Sequence, residues 1–166
     1  MIFSQVPKGV DIFLDTNTLV YHFGPDPAYG NACTDLLVRI KRQEIAGHTS
    51  THVLAEMAHR LMTLKAMQYL GRSASGIASW LRKNPAEVQK LRIFRQAIQE
   101  IPVLGIHVQI IPPDLLDRGA AVCQATGLLT NDGIIVAFMQ ANGLTNLASN
   151  DSDFDRVAGI TRYAPL

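Results

Sequence analysis

Residues 10–17 read VDIFLDTN, and this stretch decides the fold. Its apolar, β-type run is short and stops at Asp15, which is typical of a buried strand that reaches the edge of a sheet. Thr16 and Asn17 then supply side chains that favour turns and helix caps. We therefore predict a strand that places a carboxylate directly at its carboxyl end.

The same order of strand and helix recurs along the chain. Further strands are predicted near residues 46–49, 106–111, 144–149 and 161–163, the last as an edge strand. Helices are predicted over residues 31–43, from a cap at Ser50 or Thr51 onward, and over 67–101, 114–126 and 132–141, with a helical turn at 151–157. This alternation predicts an α/β fold with a central, mostly parallel sheet flanked by helices. We interpret residues 1–166 as a single domain, in which 67–101 is a longer helical segment.

The composition favours a folded protein without a membrane span. Hydrophobic residues make up 48% of the chain, which supplies a sizeable core and argues against disorder. No apolar stretch reaches the roughly 18 residues that a spanning helix needs, and residues 1–8 lack the pattern of a signal peptide. We therefore expect a cytoplasmic protein. Cys33 and Cys123 belong to no C-x-x-C pair, so we interpret both as small buried side chains.

The charge is unevenly distributed, although the formal net charge is only +1. Most of the Lys and Arg residues lie in the middle of the chain: Arg39, Lys41, Arg42, Arg60, Lys65, Arg72, Arg82, Lys83, Lys90, Arg92 and Arg95. The last third of the chain is acidic. This pattern fits a phosphate-attracting surface beside an acidic site, and it fits equally well the solvated faces of ordinary helices.

Four acids stand where the predicted elements reach one edge of the sheet: Asp15, Glu56, Asp132 and Asp151. Asp15 and Asp151 follow strands, Glu56 lies early on a helix, and Asp132 opens another. Two like charges ~4 Å apart cost on the order of 4 kcal/mol at an effective dielectric of ~20, so a divalent cation would be needed to hold such a cluster together. Carboxylate oxygens favour Mg²⁺ or Mn²⁺ over zinc, and such an ion can activate water for attack on a phosphodiester. For any one of these acids taken alone, a helix cap is the better explanation, and it is their number at one edge that favours a metal site.

At these residues the chain resembles the PIN-domain nucleases, and most closely the VapC-type toxins of toxin–antitoxin modules. Residues 10–17 look like the first family motif, and residues 50–56 (STHVLAE) are similar to the second, whose glutamate is carried by a helix. Residues 128–137 (LLTNDGIIVA) resemble the third, and residues 147–154 (LASNDSDF) resemble the last, an acid followed by Asp-Phe. The motifs occur in the family order over nearly the whole chain.

The resemblance implies a PIN-like three-layer domain, usually dimeric, that cleaves RNA with Mg²⁺ or Mn²⁺. It implies an RNA substrate, a cognate antitoxin protein, a homodimer and no membrane. Two departures stand out: residues 67–101 are longer than a minimal toxin of this type needs, and Ser149 stands where the family often has Thr.

The resemblance also assigns roles to individual residues. The four acids are the predicted catalytic and metal-binding residues. Asp153 is predicted to join them as a metal ligand or, alternatively, to cap a helix. Asn17 and Ser149 are predicted to bind either a carboxylate or the substrate phosphate, with a turn-forming role left open. Asp11 and Asp155 are assigned to solvent.

Several alternatives remain open from the sequence. The chain could be a PIN-fold nuclease of RNA processing outside toxin–antitoxin systems, a nuclease of DNA flaps, or a catalytically silent PIN-like binding module. A dehalogenase-type phosphatase is disfavoured, because its Asp-x-Asp motif would need an acid at Asn17. His52, Glu56 and His59 share one helix face and form a weaker candidate for a histidine-ligated metal site. The apolar residues of the helices are interpreted as core, with antitoxin or dimer contacts as the alternative.

Overall fold

The structure is a computed structural model that describes residues 1–71 and 73–166, so Arg72 lies outside the described residues. The described chain forms a five-stranded sheet in the order β3-β2-β1-β4-β5. The strands are β1 (Asp11–Leu14), β2 (Ala46–Ser50), β3 (His107–Gln109), β4 (Asn146–Ala148) and β5 (Thr161–Tyr163). All pairings between these strands are parallel, which confirms the predicted α/β class.

Strand β1 is the centre of the sheet. Ile12, Phe13 and Leu14 are fully buried, as expected for a strand covered on both faces. Phe13 pairs with His48 of β2 on one side and with Leu147 of β4 on the other. Strands β2 and β3 are added on one side of β1, and β4 and β5 are then added on the other side. The strand order therefore reverses between β1 and β4. Ligands of open parallel sheets bind at such a point, beyond the carboxyl ends of the strands.

Helices flank the sheet. In the described chain the α-helices are α1 (Thr16–Phe23), α2 (Gly30–Lys41), α3 (Thr51–Leu70), α4 (Ile77–Lys83), α5 (Pro85–Val88), α6 (Ile93–Glu100), α7 (Pro113–Thr126) and α8 (Thr130–Ala141). Short 3₁₀ helices lie at Phe3–Gln5, Pro102–Leu104 and Ser152–Arg156. Ser50 caps α3 by accepting a hydrogen bond from the Val53 amide. Gly127 ends α7 in the left-handed conformation.

Glycine residues allow helices α7 and α8 to pack closely against each other. A Cβ on Gly133 would lie 2.6 Å from the carbonyl oxygen of Gly119 and closer still to Cys123 Sγ, so no side chain fits there. Cys33 is fully buried as predicted, whereas Cys123 at this contact is only partly buried. Asp132 directly precedes Gly133, and this close packing fixes its position.

The described apolar residues form two separate clusters. The main core surrounds β1 and includes Val53, Met57 and Leu61 of α3. A satellite cluster is built on Ala66, Ile77 and Leu81, with Trp80 packed against it. Helix α3 takes part in both. The segment 67–101 forms the end of α3, then α4 and α5, which join the satellite cluster, and α6, which packs on the main core through Ile93, Phe94 and Ala97.

Three elements differ from the sequence-based prediction. Residues 16–23 form α1, although Thr16 and Asn17 had been assigned only to a cap and turn. Helix α8 begins at Thr130, so Asp132 lies within its first turn. Strand β3 ends at Gln109, because β2 offers partners only as far as Ser50 and the prolines at 112 and 113 then begin α7.

Among the described residues, no single helix combines the length and apolar composition that a membrane crossing requires. Helices α7 and α8 pass on both counts only if they are taken together, across a 110° bend.

Candidate active site

A pocket of about 520 Å³ opens beyond the carboxyl ends of β1 and β4. We call it the acid pocket. The four acids lie in its wall: Asp15, Glu56, Asp132 and Asp151. Each comes from a different part of the chain, namely the end of β1, helix α3, helix α8 and the turn after β4. The structure therefore brings together the carboxylates that the sequence predicted to meet.

Asp15 is held in place by three hydrogen bonds. Its Oδ1 accepts from the Thr16 amide at 2.6 Å, and its Oδ2 accepts from Asn17 Nδ2 at 2.6 Å and from Ser149 Oγ at 2.7 Å. The first bond makes Asp15 the cap of α1 as well as a pocket residue. The capping role and the proposed site role are therefore compatible, and the same carboxylate has both.

Asn17 has its side chain fully engaged. Its Oδ1 accepts from the backbone amide of Asn150 at 3.0 Å, which fixes the orientation of the amide group. Its Nδ2 then donates to both Asp15 Oδ2 and Ser149 Oγ. Ser149 is completely buried and also accepts from the Asp151 amide at 3.0 Å. Of the two roles left open for Asn17 and Ser149, these contacts favour positioning a carboxylate over contact with a phosphate.

Hydrogen bonds from α1 and α8 orient the carboxylate of Glu56. Its Oε2 accepts from Thr16 Oγ1 at 3.1 Å and from Asn131 Nδ2 at 3.2 Å. Its Oε1 lies 3.8 Å from a guanidinium nitrogen of Arg60, one helical turn further along α3. Glu56 thus faces the acid pocket and is linked to α1, α8 and its own helix.

A family model for the PIN domain matches residues 12–160, which is most of the chain. The chain belongs to the PIN-domain family. The resemblance found in the sequence is therefore confirmed at the level of the family.

Several solved structures are similar to this chain over most of its length. Against the sarcin–ricin loop cleaving toxin VapC20 of Mycobacterium tuberculosis the TM-score is 0.64, with 19% identity, over 90% of this chain and 96% of that chain. For DNA-bound VapBC2 of Rickettsia felis the TM-score is 0.57, with 15% identity, over 93% and 98% of the two chains. For FitAcB of Neisseria gonorrhoeae the values are 0.55, 17%, 93% and 97%. At these identities the likeness shows the fold. A comparison with curated proteins finds no significant match.

The electrostatics of this PIN domain are unfavourable at the acid pocket. Burial raises the pKa of Asp15 from 3.8 to about 7, although the hydrogen bonds from Ser149 and Thr16 act in the opposite direction. Burial, together with the neighbouring charges of Asp151 and Glu56, raises the pKa of Asp132 from 3.8 to about 6. Among the described residues that line the pocket, Arg60 is the only basic one. A bound cation would relieve this repulsion.

The donor set fits a hard divalent cation. The pocket offers carboxylate oxygens, which suit Mg²⁺ and Mn²⁺, and none of its described lining residues is His or Cys. In the described residues, no three His, Cys, Asp or Glu side chains are close enough together to hold an ion by direct contacts alone. Mg²⁺ usually keeps several waters and binds through one or two carboxylates, so the wider spacing of the four acids is compatible with it.

Asp153 is placed differently from the four acids. Its carboxylate accepts a hydrogen bond from Arg156 at 2.6 Å, it is not part of the pocket wall, and its backbone amide donates to Asp151 Oδ1 at 2.8 Å. Its role as a metal ligand stays a prediction. Asp11 and Asp155, assigned to solvent, are exposed but pair with His48 and Arg162 respectively.

Sequence reasoning missed three residues of the site. Arg60 was counted only as part of a basic region, although its i,i+4 spacing from Glu56 places it on the same helix face. Thr16 was assigned only to a cap or turn, and Asn131 was quoted within a motif without a role; both donate to Glu56. For Asn131, the adjacent Asp132 was the available signal.

Proposed function

We propose that this PIN-domain protein is a Mg²⁺- or Mn²⁺-dependent endoribonuclease and the toxin of a type II toxin–antitoxin pair. The observation that carries the proposal is the convergence of four carboxylates, from four separate elements, on one pocket at the switch point of a parallel sheet. The complete set of acids distinguishes this chain from a silent PIN-like binding module.

The roles of the chain's own residues follow from the contacts. The four acids would hold the cation, directly or through water; the bound ion would supply Lewis acidity toward a phosphate and a more acidic water. Ser149 and Asn17 keep Asp15 aimed at the pocket, and Thr16 and Asn131 do the same for Glu56. Such preorganised groups lose little freedom when substrate arrives, which is how a site lowers the barrier to reaction.

Two further observations support an RNA substrate and an antitoxin partner. One of the similar structures is described as a sarcin–ricin loop cleaving toxin, and others are complexes of VapC-type proteins with their partners. The basic middle of the chain, which includes Arg60 at the pocket itself, provides charge for a phosphate backbone. We further propose that the protein acts in the cytoplasm as a homodimer and that a cognate antitoxin restrains it.

The test uses the purified chain with total RNA and with single-stranded DNA, in Mg²⁺, in Mn²⁺ and in EDTA. We expect internal cleavage of RNA only when a divalent ion is present, and its loss in Asp15→Asn and Asp132→Asn variants that retain the wild-type circular dichroism spectrum. Asp35→Asn, an exposed acid on α2, is the matched control and should cleave normally. Cleavage in EDTA, or undiminished cleavage by both site variants, would remove the proposal.

The toxin role is tested separately by induced expression in a bacterial host. Growth arrest by the wild type but not by Asp132→Asn is expected, with RNA cleaved in the arrested cells. Cleavage in the test tube without any growth effect would instead favour an RNA-processing nuclease.

A further inference from the structure

A second concavity adjoins the acid pocket, on the side of α1 and the middle of α3. It has a volume of about 420 Å³, and we call it the flanking pocket; its wall includes Tyr21, Thr63, Leu64, Met67, Gln68 and Ala74. We propose that the flanking pocket binds the nucleotide next to the scissile phosphate and sets the sequence preference of cleavage. This inference rests on the proposed ribonuclease function.

The two pockets adjoin, because Asn17 and Arg60 line both of them. We therefore expect an RNA strand whose phosphate lies at the four acids to place its next nucleotide at the flanking pocket. The volume lies within the roughly 300–1,000 Å³ that small ligands occupy in proteins. The ligand that we propose for the flanking pocket is therefore the nucleotide attached to the scissile phosphate.

Arg60 lies where the two pockets meet, and its guanidinium group is available for a ligand. Its side chain is 52% exposed, and its contact with Glu56 measures 3.8 Å, which is too long for a hydrogen bond. A guanidinium has five donors in a planar fork that suits phosphate oxygens. Within the described residues, no other basic side chain lines either pocket. Arg60 is therefore the group that would contact the phosphate joining the two nucleotides.

The wall of the flanking pocket matches the chemistry of a base. Tyr21, Leu64 and Met67 provide apolar and aromatic surface for the faces of a ring. Gln68 is exposed, and its amide has no hydrogen bond to any described residue, which leaves a donor and an acceptor for a base edge. Proteins read single-stranded RNA in this way, by stacking on the base and by hydrogen bonds to its edges.

Hydrogen bonds also connect the wall of the flanking pocket to Asp15, one of the proposed catalytic carboxylates. Tyr21 Oη accepts a hydrogen bond from Asn150 Nδ2 at 3.3 Å, and the backbone amide of Asn150 donates to Asn17 Oδ1. Asn17 in turn donates to Asp15. A base that packs on Tyr21 would therefore be located relative to Asp15 by a short series of fixed contacts.

The experiment measures cleavage of an RNA pool that contains a randomised segment, followed by sequencing of the cut ends. We expect Gln68→Ala to change the base composition at one position next to the cut by about tenfold, since a well-formed pair of hydrogen bonds to a base discriminates by roughly that much. Ala74→Trp, which fills the pocket from an exposed position, should raise KM about tenfold and weaken the same preference. Asp35→Asn is the control for both variants.

Arg60 is tested by the dependence of KM on salt. Loss of one phosphate contact should raise KM about tenfold in Arg60→Ala and reduce the slope of log KM against log salt by about 0.7, while Arg60→Lys keeps the slope. If Arg60 acted only on Glu56, kcat and the Mg²⁺ requirement would change, and KM, salt slope and cut-site composition would not. Binding of a labelled single-stranded RNA to the non-cleaving Asp132→Asn protein, with and without Ala74→Trp, gives a readout independent of chemistry.

The outcomes separate this inference from the proposed function. A wild-type protein that cleaves RNA while Gln68→Ala and Ala74→Trp leave cut-site composition, KM and RNA binding unchanged overturns the nucleotide pocket alone. The same result with weakened binding of an antitoxin peptide would assign the pocket to a protein segment and also overturn it. A wild-type protein that neither binds nor cleaves RNA overturns both.

Discussion

The two halves of α3 serve different parts of the molecule. The first half packs Val53, Met57 and Leu61 into the main core and carries Glu56 and Arg60 to the acid pocket. The second half packs Ala66 against α4 in the satellite cluster, and its Met67 and Gln68 line the flanking pocket. The difference teaches that the proposed chemistry depends on a large, closely packed core. The face of the second half that joins the satellite cluster belongs to a small lobe, residues 62–71 and 73–91, whose packing can change with less effect on the four acids.

The two halves of α3 also differ in the charged groups that surround them. Around Glu56 the neighbouring acids repel one another, and burial raises the pKa of Asp15 and Asp132. Such a pocket lowers the stability of the free protein in exchange for function. The satellite cluster of the lobe is built from apolar side chains, so substitutions in the two regions should have opposite effects on stability.

The largest effect is expected for Asp132→Asn. We expect RNA cleavage to fall about 10²–10³-fold, because charge that stabilises the transition state is lost. The melting temperature in EDTA should rise, because one of several like charges is removed. Activity assays and thermal denaturation on one preparation measure both, with Asp35→Asn as the control. A variant that is both inactive and less stable would contradict the idea that the acids repel.

Ser149→Ala should have the next largest effect. It removes the buried donor to Asp15 Oδ2, while Asn17 still donates to the same atom. Loss of such an orienting partner typically costs about 10–100-fold in metal affinity or activity. A Mg²⁺ titration of the cleavage rate should therefore show a higher requirement for the ion. Ser149→Thr, which retains the hydroxyl, should restore most of the activity, and failure of this rescue would indicate a purely steric role.

Leu81→Ala tests the lobe. Removing this buried side chain should cost about 2–5 kcal/mol of local stability but change the cleavage rate by less than about threefold. Trp80, the single tryptophan of the chain, packs against the satellite cluster and reports on it by fluorescence. We expect its transition to precede the loss of helical circular dichroism in the variant. Coincident transitions together with lost activity would show that the lobe and the site form one cooperative unit.

The smallest effect is a dependence of stability on pH in EDTA. The pKa values of Asp15 and Asp132 are higher in the folded protein than the ordinary 3.8. Their stabilising contribution is therefore complete below about pH 4 and lost as the pH rises through about 6 to 7. We expect the melting temperature to fall by roughly 2–4 °C between pH 5 and pH 8.

Asp132→Asn should flatten this trend. Burial lowers the pKa of His22, which acts in the opposite sense as the pH falls, so the difference between wild type and Asp132→Asn isolates the acids. An identical pH profile for the two proteins would contradict the assignment.

Much of the fold could be read from local pattern. The apolar run before Asp15 and the Ser50 cap predicted β1 and the start of α3, because both depend on neighbouring residues alone. Helix α1 was missed, because Asp15, Thr16 and Asn17 favour a cap and a turn equally well. The start of α8 was placed two residues late, because Leu129 precedes it without a capping side chain.

The residues of the site could likewise be predicted only in part. The identities of the four acids followed from their positions after strands and at helix starts. Their partners did not, because Thr16, Asn131 and Arg60 are brought to Glu56 only by tertiary packing. The engaged state of Asn17 likewise depends on Asn150, whose backbone amide fixes it from the far end of the chain.

The long separation between Asp15 and Ser149, 134 positions, has a consequence for the growing polypeptide. At ordinary rates of synthesis, on the order of ten seconds pass between the emergence of the first residue and that of the second. Throughout that interval β1 lacks its neighbour β4, and Asp151 has not yet been made. Under the proposed function, the nascent chain therefore cannot cleave RNA before β4 and Asp151 have emerged.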